Sequence, residues 1–170
     1  MPEHEINLEV AFLLRDELES RGYAVILTRE SAGIDISNAE RAEVANGASA
    51  DAFVRLHCDG SEDSSVRGAF TICPTPDNPY AVGRLYRQCR LLADTVLEGL
   101  AGATGAATRP VWETDTMSGL NWCEVPSIIV EMGYMTNEEE DMALASPEYQ
   151  AKLAAGMADG IDRFLEMDIA

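Results

Sequence analysis

Apolar residues Leu8, Ala11, Phe12, Leu14 and Leu18 recur along NLEVAFLLRDELESRG at helical spacing, and Gly22 supplies a stop. YAVILT follows at once, short and rich in β-forming residues, and predicts a buried strand. SAGID is a loop. SNAERAEVANGAS predicts a second helix, with Ser37 as its N-cap and Glu40 three residues on in a capping-box pattern. DAFVRLH predicts a strand, and RGAFTICP another beyond a polar loop. PTPDNPY is a turn-rich connection. From about residue 80 to 103 an amphipathic helix runs through RLYRQCRLLADTVLEGL, and GATGAATRP breaks it. WETDTMSGLNWCEVP reads as a loop, SIIVEMGY as a strand ending in a glutamate, and NEEEDMAL as a short helix. SPEYQAKLAAGMADGIDRFLEM predicts a last helix with Ser146 as cap and Pro147 in its first turn. The alternation predicts an α/β fold: one domain over residues 1–170, with a mostly parallel or mixed sheet and helices on both faces.

Composition narrows the function classes more than the fold. The hydrophobic share is 46%, enough for a real core in one domain. No apolar run approaches the ~18 residues needed to span a membrane, and these residues show no basic-then-apolar secretory start. The formal net charge of −18 opposes binding to nucleic-acid backbones and anionic lipid surfaces. Cys58, Cys73, Cys89 and Cys123 form no C-x-x-C pair, so they predict buried free thiols rather than a structural zinc cluster or a disulfide scaffold.

Ligands of open α/β sheets bind beyond the carboxyl ends of the strands. His57 ends DAFVRLH and Glu131 ends SIIVEM, so two apolar strands each finish in a side chain able to hold a metal or move a proton. Glu3, just before the first helix, is a third candidate. Each also has a bland reading. A histidine at a strand end is more often a packing residue. A glutamate at a helix start is an ordinary favourable charge. Glu131 is the hardest to dismiss, because a carboxylate in an apolar strand is costly unless paired, metal-bound or protonated.

SIIVEMGYMTNEEED resembles the Pro-x-x-(apolar)-x-Glu-x-Gly-(aromatic)-x-Ser/Thr-Asn segment of the zinc-dependent N-acetylmuramoyl-L-alanine amidases of the Amidase_3 type, through Pro126, Glu131, Gly133, Tyr134, Thr136 and Asn137. EHEINL is similar to that family's Glu-x-x-x-Asn-Leu, YAVILTR to its second strand, and SNAERAEVAN to its Ser-x-x-x-Arg-x-x-x-Ala-Asn helix. DAFVRLHCDG is similar to its Asp-x-(apolar)-Ser-x-His-x-Asn/Asp strand, with Arg55 in place of the usual serine and Cys58 in place of alanine. The resemblance runs from about residue 3 to 166 and is most specific around Glu131. It implies a zinc-hydrolase α/β sandwich in which His57 and Glu3 ligate Zn2+ and Glu131 is the catalytic carboxylate. The implied substrate is peptidoglycan, cut between the lactyl group of N-acetylmuramic acid and the L-alanine of the stem peptide. Zinc with three protein ligands and an open position acidifies water to a pKa near ~7 and polarises a carbonyl, and a nearby carboxylate shuttles the proton.

Around that core, Asp59 is a candidate to orient the ligands or simply to form an Asp-Gly turn. Asn121 is a candidate substrate contact. Trp112 and Trp122 are candidates to stack on sugar or peptide, packing being the commoner use of such residues. Arg55 lies two residues before His57 and shares its face of the strand, where it suits a bond to Glu131, to a substrate carboxylate or to a surface acid. The family also has a first strand ending in Gly-His-Gly, whose histidine is a zinc ligand. The chain opens at MPEHEINL and carries no such strand, so the expectation is a fold with its first strand missing, with His4 as a possible substitute ligand. A missing strand leaves an open sheet edge, which predicts lower stability or dimerisation through that edge. Two other readings stay open: a zinc-free domain that binds peptidoglycan without cutting it, and a zinc peptidase acting on other peptides. The amidase reading places the protein outside the cytoplasmic membrane, at the cell wall or as a phage-borne lysis enzyme.

Overall fold

The computed structural model describes residues 1–167. Helix α1 (Glu3–Ser20) comes first, and α2 (Asn38–Gly47) follows with the expected start: Ser37 accepts from the Glu40 backbone while the Glu40 side chain accepts from Ser37. Strands β1 (Phe53–Asp59) and β2 (Phe70–Cys73) precede a 3-10 turn, Ala81–Leu85, that leads into α3 (Tyr86–Thr104). The stretch expected as a plain loop contains a two-residue strand β3 (Trp112–Glu113) and one turn of helix α4 (Ser118–Asn121). Strand β4 (Ser127–Tyr134), α5 (Glu138–Leu144) and α6 (Pro147–Glu166) complete the chain. Pro147 opens α6 as expected, but the Ser146 side chain makes no capping bond.

The sheet order is β1-β4-β2-β3. β4 runs parallel to β1 and antiparallel to β2, and β2 runs parallel to β3, so the sheet is mixed. β4 is central and almost wholly apolar, as a strand covered on both faces must be. Its Ile128, Val130 and Met132 enter the main core, where α1, α3 and α6 pack together. Its Ile129 faces the other way, into a smaller cluster with Phe70, Ile72 and Leu120 of α4. Glu131 shares the parity of Ile129 and so belongs to this second face. All four cysteines are buried and free, as expected.

YAVILT differs from expectation: residues 23–28 form no strand. The side-chain alternation of a strand is present, since Tyr23 and Val25 pack on the core while Ile26 is 63% exposed. What is missing is a ladder. A cleft of about 700 Å³, lined by residues 23–29 on one side and 53–57 on the other, separates the segment from β1. Among the described residues β1 therefore pairs on one side only, with β4, and its second edge borders the cleft.

Candidate active site

The β1–β4 register sets His57 directly beside Glu131 at the carboxyl ends of both strands. One residue further the ladder slips, so that Asp59 lies opposite Tyr134 rather than Gly133. Gly133 has φ +155°, a backbone that disfavours side chains, and this lets β4 bend there. Glu140, from the first turn of α5, fixes the bend: its carboxylate accepts from the Tyr134 N–H at 2.7 Å and from the Gly68 N–H at 2.8 Å.

Glu3 reaches the same point from outside the sheet. It sits in the first turn of α1, which lies against β1, and its Oε1 is 2.9 Å from His57 Nδ1. Asn7, one turn on, donates to that oxygen at 3.0 Å, and the Cys58 N–H points at it from 3.4 Å. Burial works to raise the Glu3 carboxyl, but these bonds outweigh it and hold Glu3 below its ordinary value. His57 is lowered, chiefly by burial against the opposing pull of Glu3. It is therefore neutral at neutral pH, the state in which imidazole can ligate a metal.

Glu131 is the anomaly of the site. Its Oε2 is buried and, among the described residues, has no hydrogen-bond partner. Burial first, then repulsion from Asp59 and Glu3, pushes its carboxyl up to about 8. A group so placed exchanges protons near neutral pH, as a general acid or base must.

The donors fit a zinc ion in part. The 2.9 Å between Glu3 Oε1 and His57 Nδ1 is near the ~3.3 Å edge of a tetrahedron built on zinc bonds of about 2.0 Å. Among the described residues no third His, Cys, Asp or Glu joins them to make a metal-holding group, and His4 is no exception. The donor pair is right in kind and spacing, and short of the usual three by one.

The remaining sequence candidates scatter. Asp59 accepts from the Gly60 N–H at 2.7 Å, the turn reading, and also faces the Tyr134 hydroxyl beside Glu131. Arg55 does not reach Glu131; it donates to Asn38 Oδ1 at 2.8 Å. Asn121 is tied into a loop with Asn78 and the Asp115 backbone. Trp122 is 61% exposed and its carbonyl accepts from Asn46. Sequence reasoning passed over Glu140, whose role depends on a bend no local pattern announces. The helical spacing of Glu3 and Asn7 did carry a signal for Asn7 as a positioner.

Comparison with known proteins places this geometry. The chain is similar to N-acetylmuramoyl-L-alanine amidase Rv3717 of Mycobacterium tuberculosis, with 28% identity over 166 residues, 96% of this chain and 69% of that one. It is 28% identical over 158 residues to the amidase LytC of Bacillus subtilis, covering 93% of this chain but only 30% of LytC. Among solved structures it superposes on the N-acetylmuramyl-L-alanine amidase Ami1 of Mycobacterium smegmatis with a TM-score of 0.88 and 26% identity, over 97% of this chain and 77% of that one. It superposes on the CwlD amidase of Clostridioides difficile, solved in complex with the GerS lipoprotein, with a TM-score of 0.85 and 28% identity over 99% and 88% of the two chains. The Amidase_3 profile, described as N-acetylmuramoyl-L-alanine amidase, matches residues 1–163. This chain belongs to that family.

Proposed function

We propose that the protein hydrolyses the amide between N-acetylmuramic acid and L-alanine in peptidoglycan, with zinc as cofactor and Glu131 as the catalytic carboxylate. The observation that carries this reading is Glu131: a buried, partnerless carboxyl oxygen at a strand end, beside His57 and tuned to about 8. Glu3 and His57 would hold the zinc, which when bound supplies an acidified water and a polarised carbonyl. Glu131 Oε2 accepts a proton from the attacking water and returns it to the leaving nitrogen. Asn7 keeps Glu3 aimed at His57, and Glu140 keeps the β4 bend that presents Glu131. The substrate of this reaction lies in the cell wall, so the site of action is outside the cytoplasmic membrane. No helix among the described residues is long and apolar enough to cross that membrane.

Glu131→Gln should lower muropeptide cleavage by at least ~100-fold, as loss of a general acid–base does, with the circular-dichroism spectrum unchanged. Cleavage at wild-type rate sinks the assignment. A second reading is favoured by the two-donor site: a domain that binds muropeptides without cutting them. Elemental analysis after dialysis against trace zinc separates the two. About one zinc per chain supports the hydrolase, and no zinc with retained muropeptide binding supports the binder. The open edge of β1 also suits self-association, which sedimentation velocity across a concentration series would read as a dimer.

A further inference from the structure

Strand registers set four side chains in a row across the end of the sheet that holds the site. His57 of β1 stands beside Glu131 of β4, and Glu131 stands beside Phe70 of β2. Beyond β2, Thr108 pairs in parallel with Ala69, and the Arg109 N–H donates to the Ala69 carbonyl at 2.9 Å. Arg109 therefore flanks Phe70 and completes the row His57, Glu131, Phe70, Arg109. Paired residues share a face of a sheet, and Phe70 and Tyr134 belong to the cluster on the Glu131 side. At ~4.8 Å per strand, the backbone of Arg109 stands about 10 Å from that of Glu131.

The Arg109 side chain turns back toward the site. Its guanidinium carbon lies 5.6 Å from the centre of the Tyr134 ring, which also stacks on Phe70 at 6.0 Å. The Tyr134 hydroxyl faces Asp59 beside Glu131, so one ring spans the gap between the cation and the site. Tyr134 is buried and Arg109 is exposed, which makes the guanidinium the solvent side of the stack. The stem is seated as well as the head. A Cβ on Gly68 would lie 3.3 Å from Arg109 Cγ, and Gly68 holds φ +109°, where a side chain is strained, so glycine keeps the space that the stem fills. A cation seated on an aromatic face is held by an attraction that uses none of its hydrogen-bond donors.

The order of the row gives the substrate a direction. In the amidase reading, on which this rests, Glu3 and His57 mark the end where the carbonyl of the cut amide sits, and Glu131 returns its proton to the leaving nitrogen. The stem peptide begins at that nitrogen and continues away from His57, over β2. We propose that the stem-peptide half of the substrate lies over β2 and that Arg109 binds a carboxylate of that peptide. An extended peptide advances ~3.5 Å per residue, which puts a carboxylate on its second residue roughly 7 Å past the nitrogen, within the span that Arg109 covers. A guanidinium fork matches a carboxylate in shape as well as charge. The glycan half falls on the opposite side, at His57, and makes no use of Arg109.

The test is an NMR titration of the isotope-labelled full chain with each half of the substrate in turn. One probe is a stem dipeptide that begins with L-alanine and carries free carboxylates; the other is N-acetylmuramic acid. The dipeptide should shift the Arg109 side-chain and Gly68 backbone signals, and N-acetylmuramic acid those of His57. Arg109→Gln should weaken the dipeptide roughly tenfold or more, as loss of a charge-assisted hydrogen bond does, and leave N-acetylmuramic acid unaffected. Arg109→Lys should retain part of the affinity. Amidating the dipeptide should weaken it for the wild type and not for Arg109→Gln. Equal dipeptide affinity in wild type and Arg109→Gln, dipeptide shifts confined to the His57 side, or no dipeptide binding would overturn the proposal. Hydrolysis of a muramoyl peptide with KM unmoved by Arg109→Gln would leave the amidase reading standing and this one fallen. Arg109-dependent peptide binding by a zinc-loaded chain that cuts nothing would do the reverse.

Discussion

At the scale of single residues, proton position governs what Glu131 can do and what it costs. The carboxyl moves from an ordinary 4.5 up to about 8 in the folded chain. Between those pH values the folded state binds one more proton than the unfolded state, so this group makes stability fall as pH rises through the window. Glu131→Gln removes that slope. We expect it to stabilise the chain at pH 8.5 by about 2 kcal/mol, less than the full shift because the group keeps partial water contact, or about 4–8 °C in Tm. It should have little effect at pH 5. Parallel melting curves of the two proteins at both pH values would contradict the assignment. Glu131 was legible as an oddity in an apolar strand, because hydropathy flags a misplaced charge. Its neighbours Asp59 and Glu3, which add to the shift that burial begins, come together only through the register of β1 on β4 and the placing of α1.

At the scale of elements, α3 and α6 cross through glycines that let their backbones approach closely. A Cβ on Gly156 would lie 2.4 Å from the Gly99 carbonyl oxygen, and one on Gly160 would lie 2.4 Å from that of Thr95. Gly156→Ala should therefore destabilise the chain by about 1–3 kcal/mol through overpacking. Gly102→Ala, in α3 and with open space around it, should stabilise by ~0.5–1 kcal/mol. Chemical denaturation that ranks the two alike would refute the contact. The cap of α2 gives a milder case. Ser37→Ala should cost about 1 kcal/mol, read from the same curves. Helix starts were legible because caps are local chemistry: Ser37 and Glu40 meet within one turn. The crossing of α3 on α6 was not, since glycines in GMADG give no hint of the partner they admit.

At the scale of the whole molecule, the sheet is asymmetric. Its inner strand β4 is sealed on both sides, while β1 carries the candidate site on an edge that pairs only once. The α/β alternation predicted the layers correctly, because each apolar stripe has one way to be buried. It failed at YAVILT, because a strand is completed by a neighbour and not by its own composition. That open side has a consequence for the exchange of backbone protons with solvent. The Phe53 N–H donates to the Pro126 carbonyl on the β4 side, so in a two-residue repeat the N–H groups of Arg55 and His57 turn the same way. Those of Val54 and Leu56 then turn toward the cleft, and that of Cys58 toward Glu3. Deuterium should enter β1 at every second position, quickly at Val54 and Leu56 and slowly at Arg55 and His57. A chain segment that laid itself along this edge would erase the alternation, so a residue-resolved exchange profile becomes a direct gauge of whether the cleft is filled.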